Sequence, residues 1–147
     1  MKKNQEIIDQ LNQLLSDFQI YYQNLRGFHW NIQGRNFFEL HAKFEELYTM
    51  ANEKVDEIAE RILTIAGTPI HNFQDYLETA SIQPVKNVHD DETAVQTIVS
   101  NLEHLISKER AIKELAGEAG DSGTEDHMSA YIEEQEKTLW MYKAWLK

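Results

Sequence analysis

Apolar residues recur every three or four positions along four long stretches of the chain, and this spacing predicts four amphipathic helices. The members of the four stripes are, in chain order, Leu11, Leu14, Phe18, Tyr22 and Leu25; Phe44, Leu47, Ala51, Val55, Ile58, Ile62 and Ile65; Val95, Ile98, Leu102, Leu105, Ile112 and Leu115; and Met128, Ile132, Leu139, Tyr142 and Leu146. The pattern therefore predicts an all-α protein.

The connections between these stripes differ in length. Gly34 separates the first two stripes and a glycine-rich segment, residues 117–123, separates the last two, so both connections are predicted to be tight turns. The two prolines, Pro69 and Pro84, lie in the middle of the chain, where the helical pattern stops and later resumes. Residues 73–80 are predicted to form a short helix within this long connection. Four helices with one long central crossover indicate a ferritin-like four-helix bundle.

Composition narrows the possible chemistry. The 147 residues suit a single domain, residues 1–147, with one hydrophobic core. A formal net charge of -11 repels nucleic acid and anionic membranes and attracts metal cations. Because the chain has no cysteine, zinc-finger and iron–sulfur sites are excluded and any metal must be held by nitrogen and oxygen. No segment approaches the roughly 20 apolar residues that span a bilayer, so a soluble cytoplasmic protein is expected.

Five residues in the first half of the chain are candidate metal ligands: His29, His41, Glu45, Asp56 and Glu60. His41 and Glu45 are four positions apart, as are Asp56 and Glu60, so each pair shares one face of the second helix. The fifteen steps from His41 to Asp56 span about 22 Å at the rise of an α-helix. Each pair is therefore half of a site, and one helix cannot bring the halves together.

The four candidate ligands on the second helix point about 130° away from the centre of its apolar stripe, at roughly 100° per residue. We therefore expect them to face out of the bundle core. A twofold axis that lays two copies of this helix antiparallel would join His29, His41 and Glu45 of one copy to Asp56 and Glu60 of the other. An isolated acidic pair is more often a solvated helix face, and a lone histidine more often a surface or capping residue. The combination of five such residues favours a metal site.

Ferritins with a di-iron centre inside one bundle use Glu-x-x-His motifs that point into the core. This chain has none, because the residues three positions before its six histidines are Arg26, Phe38, Thr68, Lys86, Asn101 and Thr124. The remaining histidines have no partner at ligand spacing and are expected to be surface or capping residues: His71, His89, His104 and His127.

The candidate ligands lie within a recognisable motif. The segment His29-Trp30-Asn31-Ile32-Gln33-Gly34 is followed by Phe37, Phe38, His41, Glu45, Tyr48, Asp56 and Ala59-Glu60-Arg61, and later by Ala119-Gly120-Asp121, Thr124, Asp126, Glu136-Lys137 and Leu139-Trp140-Met141. This pattern, which covers nearly the whole chain, resembles the signature of the Dps family of mini-ferritins. A short helix in the central crossover is also a feature of that family.

The resemblance implies a shell of twelve subunits with ferroxidase centres at its twofold interfaces. By matching position, His29 and His41 supply nitrogen ligands from one subunit, and Asp56 and Glu60 supply oxygen ligands from its partner. Glu45 stands where the family usually has aspartate, and its extra methylene shifts the carboxylate at the second metal position. The resemblance thus implies at most two iron ions, Fe(II) or Fe(III), in each shared site.

Similarity to the family further implies hydrogen peroxide as the oxidant, with dioxygen as a second possibility. Asp121 and Asp126 match acidic positions that line threefold pores in the family, whereas Ala130 replaces a third. The alternative for Asp121, Ser122 or Thr124 is that one of them caps the fourth helix.

Family members that bind DNA commonly use a lysine-rich tail, but here only Lys2 and Lys3 precede the first apolar stripe, and Lys143 and Lys147 lie at the other end. Weak or absent DNA binding is therefore expected, because twelve acidic subunits repel phosphate. Three functions follow as alternatives: an iron-oxidising and iron-storing shell, a shell that chiefly coats DNA, and a helical bundle with no metal chemistry.

Overall fold

The computed structural model describes residues 2–147, and Met1 lies outside the described residues. Five helices follow one another along the chain: α1 (Lys2–Asn31), α2 (Phe37–Thr64), α3 (Phe73–Thr79), α4 (Asp91–Glu118) and α5 (Ser122–Trp145). No strand is present within residues 2–147. The expected all-α, ferritin-like bundle is confirmed, and so is the short helix in the crossover.

The four long helices bury their apolar stripes against one another. α1 packs on α2, α3 and α4, and α4 packs on α5. The largest fully buried side chains include Phe18, Phe28 and Phe44, together with leucines and isoleucines of α1, α2 and α4. Most of these residues belong to the predicted stripes, whereas Ile7, Leu15 and Phe28 of α1 are buried beyond the members that spacing identified. The burial of amphipathic faces therefore accounts for the bundle.

The two short turns depend on glycines with positive φ, Gly34 (110°) and Gly120 (73°), which is a conformation that favours glycine. The other two glycines of the 117–123 segment lie inside helices, so the break is shorter than the sequence indicated. Gly123 lies under the Arg61 guanidinium, and a Cβ there would come within 2.6 Å of Arg61 Nη2. This close approach explains a glycine in the first turn of α5.

The long crossover is fixed to α1 by a fully buried carboxylate. Asp17 Oδ1 accepts hydrogen bonds from the backbone N–H groups of Ser81 (2.7 Å) and Ile82 (2.9 Å). Asp17 Oδ2 accepts a further bond from His104 Nε2 of α4 at 2.9 Å. His104 is therefore an internal partner of Asp17, which corrects the expectation that it is a surface or capping residue.

Two asparagines of α1 bracket the same crossover, because an amide side chain both donates and accepts. Their bonds run from Asn12 Nδ2 to Thr68 O (3.1 Å), from Ile70 N to Asn12 Oδ1 (2.8 Å), from Asn24 Nδ2 to Gln83 O (3.0 Å) and from Val85 N to Asn24 Oδ1 (3.1 Å). The polar side chains of α1 thus satisfy backbone groups that the irregular crossover leaves unpaired.

Polar groups also lie in the centre of the bundle. Glu109 is fully buried, and both of its carboxylate oxygens accept from Gln135 Nε2, at 2.8 and 2.7 Å. Burial raises the pKa of Glu109 to about 8, although the Gln135 hydrogen bond and the nearby Lys54 ammonium oppose the rise. The buried Lys54 pairs with Glu134, and its ammonium lies 5.3 Å from the centre of the Tyr131 ring. The bundle centre is thus a hydrogen-bonded, charge-paired cluster.

Candidate metal centre

Two histidines meet where α1 ends and α2 begins. His29 Nδ1 lies 2.6 Å from the carbonyl oxygen of His41, and His41 Nδ1 lies 2.7 Å from the carbonyl oxygen of His29. The two imidazole rings are stacked, with centroids 3.7 Å apart and an interplanar angle of 11°. Each ring is therefore held by the backbone of the opposite helix.

This reciprocal bonding assigns the proton on each ring. A carbonyl oxygen only accepts, so each Nδ1 must carry the hydrogen, and in the neutral ring the lone pair lies on Nε2. A histidine that binds a metal typically donates its other ring N–H to a carbonyl or a carboxylate, which fixes the tautomer and the ring orientation. Both histidines thus have Nε2 prepared as a nitrogen ligand.

Aromatic rings support this pair on both sides. Tyr48 meets the edge of the His29 ring at 5.3 Å, and Phe37 stacks on the His41 ring at 4.9 Å. His29 is buried and His41 is half-buried. The histidines are therefore held in place by packing as well as by hydrogen bonds, and Tyr48 is a support that spacing had not identified.

Glu45 lies one helical turn after His41 and is exposed. Its Oε1 is 3.7 Å from His29 Nε2, which is longer than a hydrogen bond. Two ligands that share one ion at about 2.1 Å each are separated by roughly 3 to 3.5 Å. Glu45 therefore lies close to a ligand position beside His29 Nε2.

The other two carboxylates lie further along α2. Asp56 and Glu60 are both exposed, in agreement with their expected position away from the apolar stripe. Within residues 2–147 neither carboxylate has a hydrogen-bond or ion-pair partner. No three histidine, aspartate or glutamate side chains of the described chain converge in a geometry that holds a metal ion. The structure brings His29, His41 and Glu45 near one another and leaves Asp56 and Glu60 apart from them.

Asp121 has a structural role at the start of α5. Its carboxylate accepts from the backbone N–H of Thr124, so it is the N-cap of the helix, and it also accepts from Arg61 Nη2 at 2.8 Å. Partial burial opposes ionisation, but the hydrogen bonds from Thr124 and the Arg61 guanidinium hold the pKa of Asp121 below its usual range. The capping alternative is confirmed for Asp121, while Asp126 is exposed.

Two buried acidic residues, Asp17 and Glu109, were not identified from ligand spacing, although their positions in the sequence indicate them. Asp17 lies between Leu14 and Phe18 of the first apolar stripe, and Glu109 lies between Leu105 and Ile112 of the third. A charged residue on the core-facing side of a helix is buried only if it has a hydrogen-bond or ion-pair partner in the core. His127 is a smaller case, since it is half-buried against the Tyr131 ring, and burial lowers its pKa.

Comparison with known proteins gives the class of the fold. The ferritin-like domain family model matches residues 8–147. Together with the long crossover between α2 and α4, this match defines the class of the protein as ferritin-like.

Individual relatives narrow the class to one family. The DNA protection during starvation protein of Porphyromonas gingivalis is 42% identical over 139 residues, which cover 95% of this chain and 87% of that protein. The crystal structure of a Dps protein from Vibrio cholerae O1, described as a member of a broad superfamily of ferritin-like diiron-carboxylate proteins, has 50% identity and a TM-score of 0.98 and covers 99% of this chain and 92% of that one. A Dps structure from Bacillus brevis has 36% identity and a TM-score of 0.97, with coverage of 100% and 99%. The chain therefore belongs to the Dps family, as its resemblance had indicated.

Membership of this family is consistent with iron storage and protection. None of the helices within residues 2–147 is both long and apolar enough to cross a bilayer.

Proposed function

We propose that this chain is a ferroxidase and iron-storage subunit. Residues 1–147 form a single ferritin-like domain, and twelve copies form a hollow cytoplasmic shell. Fe(II) is oxidised, with hydrogen peroxide as the principal oxidant, at sites shared between two copies, and the ferric product is stored as mineral inside the shell. Removal of iron and peroxide together would protect the cell against oxidative stress.

The observation that carries this proposal is the paired histidines. His29 and His41 each donate Nδ1–H to the other's carbonyl oxygen, which leaves two Nε2 lone pairs beside the Glu45 carboxylate. A structural role for two stacked histidines does not require both Nε2 atoms to be free. Mixed imidazole and carboxylate ligands suit iron in both oxidation states.

The oxygen ligands come from a second copy. Asp56 and Glu60 have no partner within residues 2–147 and lie about 22 and 28 Å, respectively, along α2 from His41. An antiparallel arrangement of two α2 helices about a twofold axis brings these carboxylates to the partner's histidines twice per dimer.

Exposed aromatic residues support an interface at the histidines. Trp30, next to His29, is 56% exposed, and Phe38, at the start of α2, is 84% exposed. Exposed large aromatic side chains beside a proposed site fit a surface that a partner covers. We infer that Trp30 packs at the subunit interface and takes no part in the chemistry.

The iron ions are substrates. One peroxide takes one electron from each of two Fe(II) ions and, with two protons, gives two water molecules and two Fe(III) ions. The neutral imidazoles hold the iron without adding charge, and the carboxylates favour the more highly charged product. Glu45 binds at the second position, where its longer side chain replaces the usual aspartate.

Iron reaches the shell interior past the start of α5. The Arg61 guanidinium compensates the charge of Asp121. We therefore assign the attraction of cations at this point chiefly to the exposed Asp126. Asp121 lies at the proposed pore rim but adds little to this attraction.

DNA binding is weak or absent in this proposal. Lys2 and Lys3 lie within α1, and the formal net charge of each chain is -11. Release of counterions from DNA requires clustered cationic side chains, whereas the 25 aspartates and glutamates of each chain outnumber its 14 lysines and arginines. A salt-sensitive gel shift by the purified protein near neutral pH would contradict this part of the proposal.

Exchange between damaged subunits tests the shared site. His29→Ala and Asp56→Ala variants each lose activity, but a mixed dimer of the two has one intact site out of two. Random mixing in equal amounts therefore restores about a quarter of the normal sites. The matched control mixes His29→Ala with His41→Ala, which damage the same half-site and restore nothing. Equal rates in the two mixtures would overturn the shared site, and a purified monomer that oxidises iron at full rate would do so as well.

A further inference from the structure

Arg26 lies on α1, one turn before His29 of the proposed metal centre. Its guanidinium carbon is 5.3 Å from the centre of the Tyr22 ring and 4.7 Å from the centre of the Trp30 ring. Tyr22, Arg26 and Trp30 are spaced by four positions, so they share one face of the helix. Because aromatic faces attract a guanidinium, the two rings hold Arg26 in a defined position.

The hydrogen-bonding capacity of Arg26 is unused within the chain. The side chain is half-buried, yet its N–H groups have no hydrogen-bond or ion-pair partner within residues 2–147. By contrast, Arg61 and Arg110 each pair with a carboxylate, at 2.8 and 2.6 Å. A guanidinium has five N–H donors around its edge, whereas aromatic rings contact its faces. The edge of Arg26 is therefore available to a carboxylate from outside the chain.

Contacts between α1 and α2 give the level of Arg26 along the second helix. The stacked histidine rings, and the Tyr22 and Tyr48 rings with centroids 5.9 Å apart, are successive contacts between two antiparallel helices. Arg26 lies between these contacts on α1, so it is level with the middle of the corresponding segment of α2. That is the level of Glu45, about 6 Å along the helix from His41.

The proposed twofold arrangement puts Asp56 of a second copy at this level. When two α2 helices lie antiparallel, a step towards the C-terminus of one is a step towards the N-terminus of the other. His41 faces the segment between Asp56 and Glu60 of the second copy. The level of Glu45, four residues further on, therefore faces the Asp56 end of that pair. Arg26 of one copy and Asp56 of the other are thereby level with each other.

Direction favours Asp56 over Glu53, a second exposed acid at the same level of α2. At roughly 100° per residue, Asp56 points about 10° from the mean direction of the four candidate ligands on this helix. Glu53 points about 70° from that direction by the same measure. Asp56 is therefore the carboxylate directed at the histidine half-site of the other copy.

The charge of the joined site gives this contact a role. Glu45 of one copy meets Asp56 and Glu60 of the other beside two neutral imidazoles, so three carboxylates repel one another when no iron is bound. The Arg26 guanidinium offsets part of this repulsion. A carboxylate has two oxygens, so Asp56 can bind iron with one and accept a hydrogen bond from Arg26 with the other.

We propose that Arg26 of one subunit donates to Asp56 of the other and holds this carboxylate where it binds iron. Arg26 is a positioning residue, because it acts through Asp56 and does not touch the metal. Removal of such an outer hydrogen-bond partner commonly lowers metal affinity by roughly 10- to 100-fold. The inference rests on the proposed shared site and adds a residue to it.

Anaerobic Fe(II) binding to the assembled, iron-free protein measures this role without turnover. Arg26→Gln is expected to weaken binding by roughly 10- to 100-fold. Charge alone predicts the opposite sign, since the loss of a positive charge favours a bound cation. The matched control is Arg35→Gln, which removes the same charge from an exposed arginine of the α1–α2 turn and is expected to leave the Kd within about twofold.

A more conservative variant covers the case in which Arg26→Gln does not assemble. Arg26→Lys keeps the charge and a donor but has a smaller hydrogen-bonding edge, so Fe(II) binding is expected to weaken by about two- to fivefold. Because Arg26 acts through Asp56, this loss is expected to be absent in an Asp56→Ala background. Size-exclusion chromatography checks that each variant retains the wild-type assembly.

Subunit mixing tests whether Arg26 acts across the interface. A mixed dimer of Arg26→Gln and Asp56→Ala has one site in which both residues are native. Random mixing in equal amounts is therefore expected to restore about a quarter of the tight Fe(II) sites. Arg26→Gln mixed with His29→Ala damages the same half-site twice and is expected to restore none.

Unchanged or tighter Fe(II) binding by Arg26→Gln would refute the inference, as would a mixture with Asp56→Ala that restores nothing. A Glu53→Ala loss as large as that of Arg26→Gln would assign the contact to Glu53 instead. The two proposals fail differently. If His29→Ala and Asp56→Ala leave Fe(II) binding unchanged, the shared site itself is wrong. If both weaken binding and Arg26→Gln does not, only the role of Arg26 is wrong.

Discussion

Both α1 and α2 carry polar side chains, but those of α1 form hydrogen bonds within the chain, whereas two carboxylates of α2 face outward. Asn12, Asp17 and Asn24 of α1 turn inward, and their bonds fix the crossover. The carboxylates of Asp56 and Glu60 on α2 turn outward and have no partner within residues 2–147. The first set finds its hydrogen-bond partners within one chain, whereas the second has none within residues 2–147.

This difference separates stability from function. Removal of a polar residue from α1 leaves backbone groups of the crossover without a hydrogen-bond partner, and the buried Ile82 N–H in the case of Asp17, which costs folding free energy. Removal of a carboxylate from the exposed face of α2 leaves water in its place, which costs little. The histidine pair lies between these extremes, because it is bonded within the chain and still presents free nitrogens.

Asp17→Ala is expected to cause the largest effect on stability. Two backbone N–H groups and His104 lose their acceptor, so we expect the free energy of unfolding to fall by about 3 kcal/mol or more. Urea unfolding at a fixed protein concentration measures the change. Asp17→Asn retains an oxygen acceptor for the two N–H groups and should lose less. A loss below about 1 kcal/mol for the alanine variant would contradict the view that the inward polar residues of α1 stabilise the fold.

Asp56→Ala is expected to have the opposite profile. We expect the rate of Fe(II) oxidation with peroxide to fall about 100-fold, equivalent to about 2.7 kcal/mol of barrier, with the free energy of unfolding within about 0.5 kcal/mol of wild type. Stopped-flow absorbance of the ferric product measures the rate. Glu53→Ala, an exposed acid of the same helix outside the five candidate ligands, is the control. An unchanged rate would remove Asp56 from the site.

His41→Ala is expected to lower both quantities. The variant loses the stacked ring and the hydrogen bond from His41 Nδ1 to the His29 carbonyl, while the carbonyl of residue 41 still accepts from His29 Nδ1. The free energy of unfolding should therefore fall by about 1 to 2 kcal/mol in addition to the loss of oxidation. His71→Ala, an exposed histidine of the crossover, is the matched control and should change neither. Loss of activity at full stability would mean that the ring of His41 and its hydrogen bond to the His29 carbonyl contribute nothing to the stability of the fold.

Glu45→Asp is expected to have the smallest effect. The shorter side chain draws the carboxylate away from His29 Nε2, which is 3.7 Å from it in the native chain, so we expect the oxidation rate to fall by roughly two- to fivefold. The dependence of the rate on Fe(II) concentration separates weaker binding from slower chemistry. A faster variant would show instead that the native glutamate limits the site.

The sequence predicted what depends on short-range order. The periodicity of apolar residues predicted the four long helices, and the two prolines predicted the position of the crossover, because both patterns depend on residues that are close in sequence. The path of the crossover was not predictable in this way, since Asn24 and Val85 are 61 positions apart. The same limit applied to His29 and His41, whose mutual bonds depend on how tightly the turn at Gly34 closes. The proposed pairing of half-sites between two copies needs contacts that no single chain contains.

Glu109 binds a proton more tightly in the folded chain than in the unfolded chain. Its pKa is about 8 in the folded chain, against an ordinary value of 4.5. Between these two values an unfolded chain has released this proton while the folded chain retains it, so folding takes up hydrogen ions and acidification across this interval favours the native state. Below the interval both states are protonated, and above it both are ionised, so this contribution then no longer varies with pH. The buried acid thus makes the stability of the bundle depend on the acidity of its surroundings.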